Sequence, residues 1–254
     1  MSKKLTNENY YEQDKYMSVS AYKKFLHCEC DGLEEFNSTS TAMLVGSYVD
    51  SYIEGTLEKF KEEHPELIAS RGATKGELKA DFKYADKICE YIDNDPIFKE
   101  FMSGEKQTIM TGEIEGVPFK IKMDSYSPDI AINDLKVMAT VTNRDGEYYD
   151  FISRYGYDIQ MACYQEIVYQ NTGKKLPCYI CAVTKEEPID SVIVMIPQYV
   201  MDRALFLVTT KIQRFYDIKM GNVEPIPCGK CQSCIAKRKE TPIISMEDMI
   251  DFIM

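Results

Sequence analysis

The chain has 254 residues, long enough to bury a sizeable core and enough for one to two domains. Its 30 basic and 41 acidic side chains leave a net charge of −11, which excludes a protein that coats nucleic acid by bulk charge. A local basic groove, or an anionic substrate held through metal ions, stays open. No stretch approaches the roughly 18–20 apolar residues of a membrane span, and the first residues carry no apolar signal core. The expectation is a soluble, cytoplasmic protein whose nine cysteines are thiols or metal ligands, not a disulfide framework.

In chain order, residues 1–17 read as a loosely held polar lead-in. Ser20 is the expected N-cap of a first helix, Ala21-Tyr-Lys-Lys-Phe-Leu26. Asn37-Ser-Thr-Ser-Thr41 caps a second, Ala42–Glu54, and residues 55–80 read as a helix end and an exposed charged loop. Phe82, Ala85, Ile88, Cys89 and Ile92 recur at helical spacing. The period then changes. Gln107–Asp124 reads as two strands joined at Glu115-Gly116, and Ser127-Pro-Asp129 as a turn into a third strand, Ile130–Val137. A long helix is expected from about Glu147 to Gln170, stopped by Asn171-Thr-Gly173. Strands over Cys178–Val183 and Ser191–Ile196 and a helix over about Gln198–Met220 follow. This order predicts an α/β fold with a mixed central sheet flanked by helices, in a single domain spanning 1–254.

The chemistry concentrates in the strand meander. Asp134 and Lys136 are two apart on a strand, so they leave the same face. A turn near Pro128-Asp129 sets Asp124 roughly opposite Asp134. Two carboxylates beside an ammonium suit Mg²⁺, a hard cation that keeps waters and accepts phosphate oxygens. Asp and Lys in this pattern also describe an ordinary solvated strand face. The apolar Ile130-Ala-Ile and Leu135, Val137 around them instead make the strand interior, where a charge needs a partner or a task. On the next helix Gln160 and Tyr164 are i, i+4 and share a face. They read either as part of a half-buried amphipathic helix or as contacts to a DNA backbone.

Asp124, Asp134-Leu-Lys136 and Tyr155-Gly-Tyr-Asp-Ile-Gln160-x-x-x-Tyr164 together resemble the PD-(D/E)XK nuclease superfamily, and within it the RecE/RecB-like exonucleases of phages and prophages. The resemblance covers Ser18 to about Lys237. It implies a restriction-endonuclease-like core and Mg²⁺ (or Mn²⁺) held by Asp124, Asp134 and the carbonyl of Leu135. It also makes Lys136 the catalytic lysine and assigns Gln160 and Tyr164 to DNA. Relatives carry Gly-x-x-x-His on the upstream helix, the His being a metal ligand. This chain has Gly46-Ser-Tyr-Val-Asp50, so Asp50 becomes the substitute ligand, with Glu54 one turn on. Val137 stands where many relatives have Thr.

Cys228-Gly-Lys-Cys231-Gln-Ser-Cys234 places three thiols at the spacing of a zinc or iron–sulfur site. A fourth ligand is available in Cys28 or Cys30. Some RecB-like nucleases hold a 4Fe–4S cluster with one upstream and three downstream cysteines, so the resemblance implies a cluster or Zn²⁺ here, in a C-terminal segment spanning 225–254. Cys89, Cys163, Cys178 and Cys181 read as core residues, and His27 and His64 as surface. The resemblance implies a metal-dependent DNA exonuclease that resects ends in phage-type recombination, with a single-strand annealing protein as partner; an oligomer stays open. The rival readings are a nonspecific endonuclease or flap nuclease at the same site, and a non-catalytic DNA-binding module.

Overall fold

A computed structural model describes residues 5–7, 9–12, 15–34, 40–185, 187–241, 243 and 245. The N-terminal helices are α1 (Val19–His27), α2 (Thr41–Glu54), α3 (Leu57–Glu63), α4 (Ala80–Asn94) and α5 (Pro96–Phe101). The meander follows as β1 (Thr108–Ile114), β2 (Val117–Met123), β3 (Ser125–Ser127) and β4 (Ala131–Met138). Then come α6 (Phe151–Tyr155), α7 (Tyr157–Thr172), β5 (Cys178–Thr184), β6 (Ser191–Met195), α8 (Gln198–Thr209), α9 (Ile212–Lys219) and α10 (Gln232–Ala236). No described helix is long and apolar enough to cross a membrane.

The strands form a hairpin, β1–β2, and a mixed sheet in the order β3-β4-β5-β6. The hairpin turns at Glu115-Gly116, both at positive φ, which two-residue hairpin loops require. β3 and β4 are antiparallel, whereas β4 and β5 run parallel. A parallel pair needs a crossover, and α6–α7 provides it. One face of β4 and β5 packs Ile132, Ile180 and Ala182 toward α7; the other packs Leu135, Cys181 and Val183 toward α2 and α4. β4 is thus covered on both sides, which buries its polar Asn133 and Asp134 along with its apolar residues.

Several local expectations are corrected. The cap of α1 is Ser18, not Ser20: its hydroxyl accepts from the Ala21 N–H at 3.3 Å. The reason lies upstream, where Met17 is fully buried and bridges to Phe119 of β2, drawing the helix start back. The lead-in is therefore not loose throughout, since Tyr10 is buried as well. Ser40, within the expected capping stretch, caps α2 by accepting from Met43 N–H at 3.2 Å. Residues 55–80 contain a short helix, α3, not only loop. The helix expected from 147 starts at Phe151, capped by Asp150, and breaks at Gly156, whose φ of +63° ends α6 and starts α7. The expected 198–220 helix also divides, at Thr210-Lys211. Cys89, Cys163, Cys178 and Cys181 are buried as expected. His27 is exposed, but His64 is half-buried against the Phe60 ring. Residues 1–4, 8, 13, 14, 242, 244 and 246–254 of the expected lead-in and C-terminal segment, and 37–39 of the expected capping stretch, lie outside the described residues.

Candidate active site

Asp124 follows β2 at the joint where the chain leaves the hairpin and enters the mixed sheet. Ser125 pairs with Asn133, so the same antiparallel register places Asp124 across from Asp134, as the turn position predicts. The Asp124 carboxylate accepts from the Leu135 backbone N–H at 3.0 Å. That bond ties the first acid to the strand bearing the second acid and the lysine.

Asp134 is 1% exposed, so its polar contacts come from its neighbours and not from water. Oδ1 accepts from Gln160 Nε2 of α7 at 2.5 Å. Oδ2 lies against the Lys136 ammonium but accepts no hydrogen bond of good geometry. The ammonium also sits 5.0 Å from the centroid of the Tyr157 ring, a cation–π contact that fixes its direction. Burial pulls the Lys136 pKa down, but the charges of Asp134 and Asp124 outweigh it and raise it above the ordinary lysine value.

Asp50 projects from α2 into the same cavity. Burial, with Asp134 and Glu54 adding repulsion against the opposing pull of Lys136, pushes its carboxyl up to about 7. Burial likewise holds Asp124 well above the carboxylate range, and the charges of Asp134 and Asp50 add to it. Three carboxylates thus crowd a low-dielectric pocket whose strain a cation relieves. A cation there would take its remaining ligands from waters, phosphate oxygens and the Leu135 carbonyl. The all-oxygen donor set fits a hard divalent ion that Asp50, Asp124, Asp134 and the Leu135 carbonyl would hold, with Lys136 paired to Asp134 beside it.

Gln160 and Tyr164 line the cavity, but both side chains bond within the protein: Gln160 to Asp134, and the Tyr164 hydroxyl to the Lys122 carbonyl at 2.9 Å. Their first task is to hold the second acid and the end of β2. Helical spacing gave no sign of this, because α7 is buried without a break from Gln160 to Gln165 and both bonds go to strands distant in sequence. Glu54 accepts from Gln107 and sits beside Asp50 without joining the trio.

The cavity is open, with a volume of about 990 Å³. Its walls carry Lys23, Lys24, Lys120, Lys122, Lys136 and Lys219 beside Glu34, Asp50, Asp124 and Asp134, an excess of lysines within an acidic chain. These lysines come from α1, β2, β4 and α9, so no run in the sequence marks them. Tyr10 and Tyr11, from the lead-in, also line it, with Lys120 and Lys122 set over the Tyr10 ring.

The cysteine motif lies apart. The thiol that joins Cys228, Cys231 and Cys234 is Cys28, at the end of α1, and the four sulfurs lie within 4.8 Å of one another. Cys30 is buried beside them.

Residues 18–237 match the family described as a PDDEXK-like domain of unknown function (DUF3799). A crystal structure from Eubacterium rectale, described as a "Putative exonuclease", is 45% identical, with a TM-score of 0.89 over 99% of this chain and 100% of that one. A second solved structure, SSO0001, is 12% identical over 77% of this chain and 83% of that one, and its TM-score of 0.29 carries no argument. No curated protein matches the chain. By the match over residues 18–237 and the 45% identical structure, the chain belongs to the PDDEXK-like family and so to the PD-(D/E)XK nuclease superfamily.

Proposed function

We propose that the protein is a Mg²⁺- or Mn²⁺-dependent deoxyribonuclease that digests DNA from its ends. The observation that carries the reading is the convergence of Asp124, Asp134 and Lys136 in a lysine-lined cavity. The Eubacterium rectale relative supports the exonuclease form. When bound at Asp50, Asp124, Asp134 and the Leu135 carbonyl, a divalent cation supplies charge neutralisation at the phosphate and acidifies a water.

The chain's own residues do the rest. The Lys136 ammonium, aimed by Asp134 and Tyr157, faces the charge that develops on the phosphate oxygens. Gln160 and the Leu135 N–H fix the two acids, so little reorganisation is left for the moment of reaction. The wall lysines hold the strand's phosphates by charge. By family analogy the product is a resected end, passed to a single-strand annealing protein in phage-type recombination.

The test incubates the protein with end-labelled linear DNA and with closed circular DNA, in Mg²⁺ or in EDTA. Loss of linear DNA alone, abolished by EDTA, is the expected result. Nicking of the circle makes the protein an endonuclease, and an intact substrate in both tubes makes it a binding module.

A further inference from the structure

Outside the nuclease cavity, the described cysteines form a closed shell of four thiols. Cys28 Sγ lies 3.6 Å from Cys234 Sγ, and Cys228 Sγ lies 3.9 Å from it. These separations are too long for disulfides, whose sulfurs are about 2.05 Å apart. They match the edge of a tetrahedron around one ion: with zinc–sulfur bonds of about 2.3 Å, sulfurs sit about 3.8 Å apart. A 4Fe–4S cubane adds an iron–iron edge to every sulfur–sulfur separation, which spreads the thiolates beyond the 4.8 Å that spans this set.

Backbone donors mark these sulfurs as thiolate ligands, whichever metal they hold. The N–H groups of Lys230 and Cys231 reach Cys228 Sγ at 3.4 and 3.3 Å, and the Cys234 N–H reaches Cys231 Sγ at 3.4 Å. Such N–H···S bonds draw off thiolate charge and orient the ligands of a thiolate-bound ion.

We propose that Cys28, Cys228, Cys231 and Cys234 bind a single zinc ion as a structural tetrathiolate, in place of the iron–sulfur cluster that the sequence pattern also allows. All four positions are protein ligands, so the site is closed and does no chemistry of its own. It joins residues about 200 apart, pinning the C-terminal segment to the end of α1. The stretch just beyond Cys28 and the body of α1 supply Gly32, Lys24 and Lys23 to the cavity wall, so the ion braces one side of the nuclease pocket. The inference rests on the sulfur geometry and not on the hydrolytic reading.

The test purifies the full-length chain anaerobically from cells supplied with both iron and zinc, then measures metal and acid-labile sulfide. The expected result is one zinc per chain, no sulfide and a colourless protein. A mercurial titration should release that zinc to a metallochromic dye as four thiols react. Cys30→Ser should keep the zinc, because Cys30 lies outside the four, whereas Cys231→Ser should lose it. The titration of the unmodified protein decides the matter even where Cys231→Ser fails to fold. Brown protein with iron and sulfide overturns the proposal, as does protein that leaves the anaerobic column without zinc. DNA cleavage enters none of these readings, so they stand or fall separately from the nuclease.

Discussion

Gln160 Nε2 donates to Asp134 Oδ1 at 2.5 Å, across the packing of α7 on β4. The two residues are 26 apart in sequence, yet the amide is the neutral donor that keeps a nearly dry carboxylate in place. A hydrogen bond to a buried charge is worth about 1.5–3 kcal/mol. Gln160→Ala should therefore lower both thermal stability and cleavage, while Gln160→Glu should be worse by placing a second carboxylate against Asp134. Melting curves and a cleavage assay on the two variants check this; a Gln160→Glu variant as active as the original would remove Gln160 from the positioning role.

Asp134→Ala and Asp124→Ala should abolish cleavage, because each removes a charged ligand from the cation's shell. Lys136→Ala should cost about 10²–10³ in rate, the size of a lost transition-state donor. Circular dichroism should show the folded signature in all three. Retained activity in folded Asp134→Ala would sink the assignment of the site.

On the proposed reading Asp50 is a metal ligand, and its effect should appear in metal binding before it appears in catalysis. Asp50→Ala should weaken Mn²⁺ binding at least tenfold or so, the loss that follows even when an outer-shell partner is removed. Asp50→His should recover part of it. Calorimetric titration of Mn²⁺ into each variant reads the difference, and unchanged affinity in Asp50→Ala would place this residue outside the shell.

The Arg214 guanidinium grips Glu29 through two hydrogen bonds of 2.7 Å, and the Ile226 N–H adds a third at 2.7 Å. The Arg214 bonds hold the Glu29 carboxyl below its ordinary value, with burial opposing and the Ile226 N–H assisting. A depressed folded pKa means the stabilisation is complete above the unfolded value of about 4.3 and vanishes as pH falls through the lower folded one. Glu29→Gln should melt a few degrees below the original at neutral pH, and the gap should close on acidification below pH 4 or so. A gap independent of pH would mean that the pairing charge contributes nothing.

Much of the site could be read from local pattern. The Asp134–Lys136 spacing and the turn at Pro128-Asp129 were enough to set Asp124 against Asp134, because strand register is a counting matter. The cysteine spacing gave three of the four clustered thiols, and the fourth as one of two. The bonds of Gln160 and Tyr164 were not legible, because helical periodicity shows which residues share a face but not what lies opposite. The break at Gly156 was hidden since a single glycine inside an apolar period costs only ~1 kcal/mol and does not by itself end a helix. Ser18 and Ser20 are equally good caps in isolation; the burial of Met17, a tertiary event, chose between them.

The basic cavity in an acidic chain has a consequence for traffic. The chain as a whole repels a polyanion, and the hollow, where six lysines stand beside four carboxylates, offers it the more favourable approach. Repulsion by the exterior discourages the sideways wrapping of duplex that a uniformly basic enzyme invites. On the proposed nuclease reading, selection of a place on the protein then comes from where the strand is unwelcome.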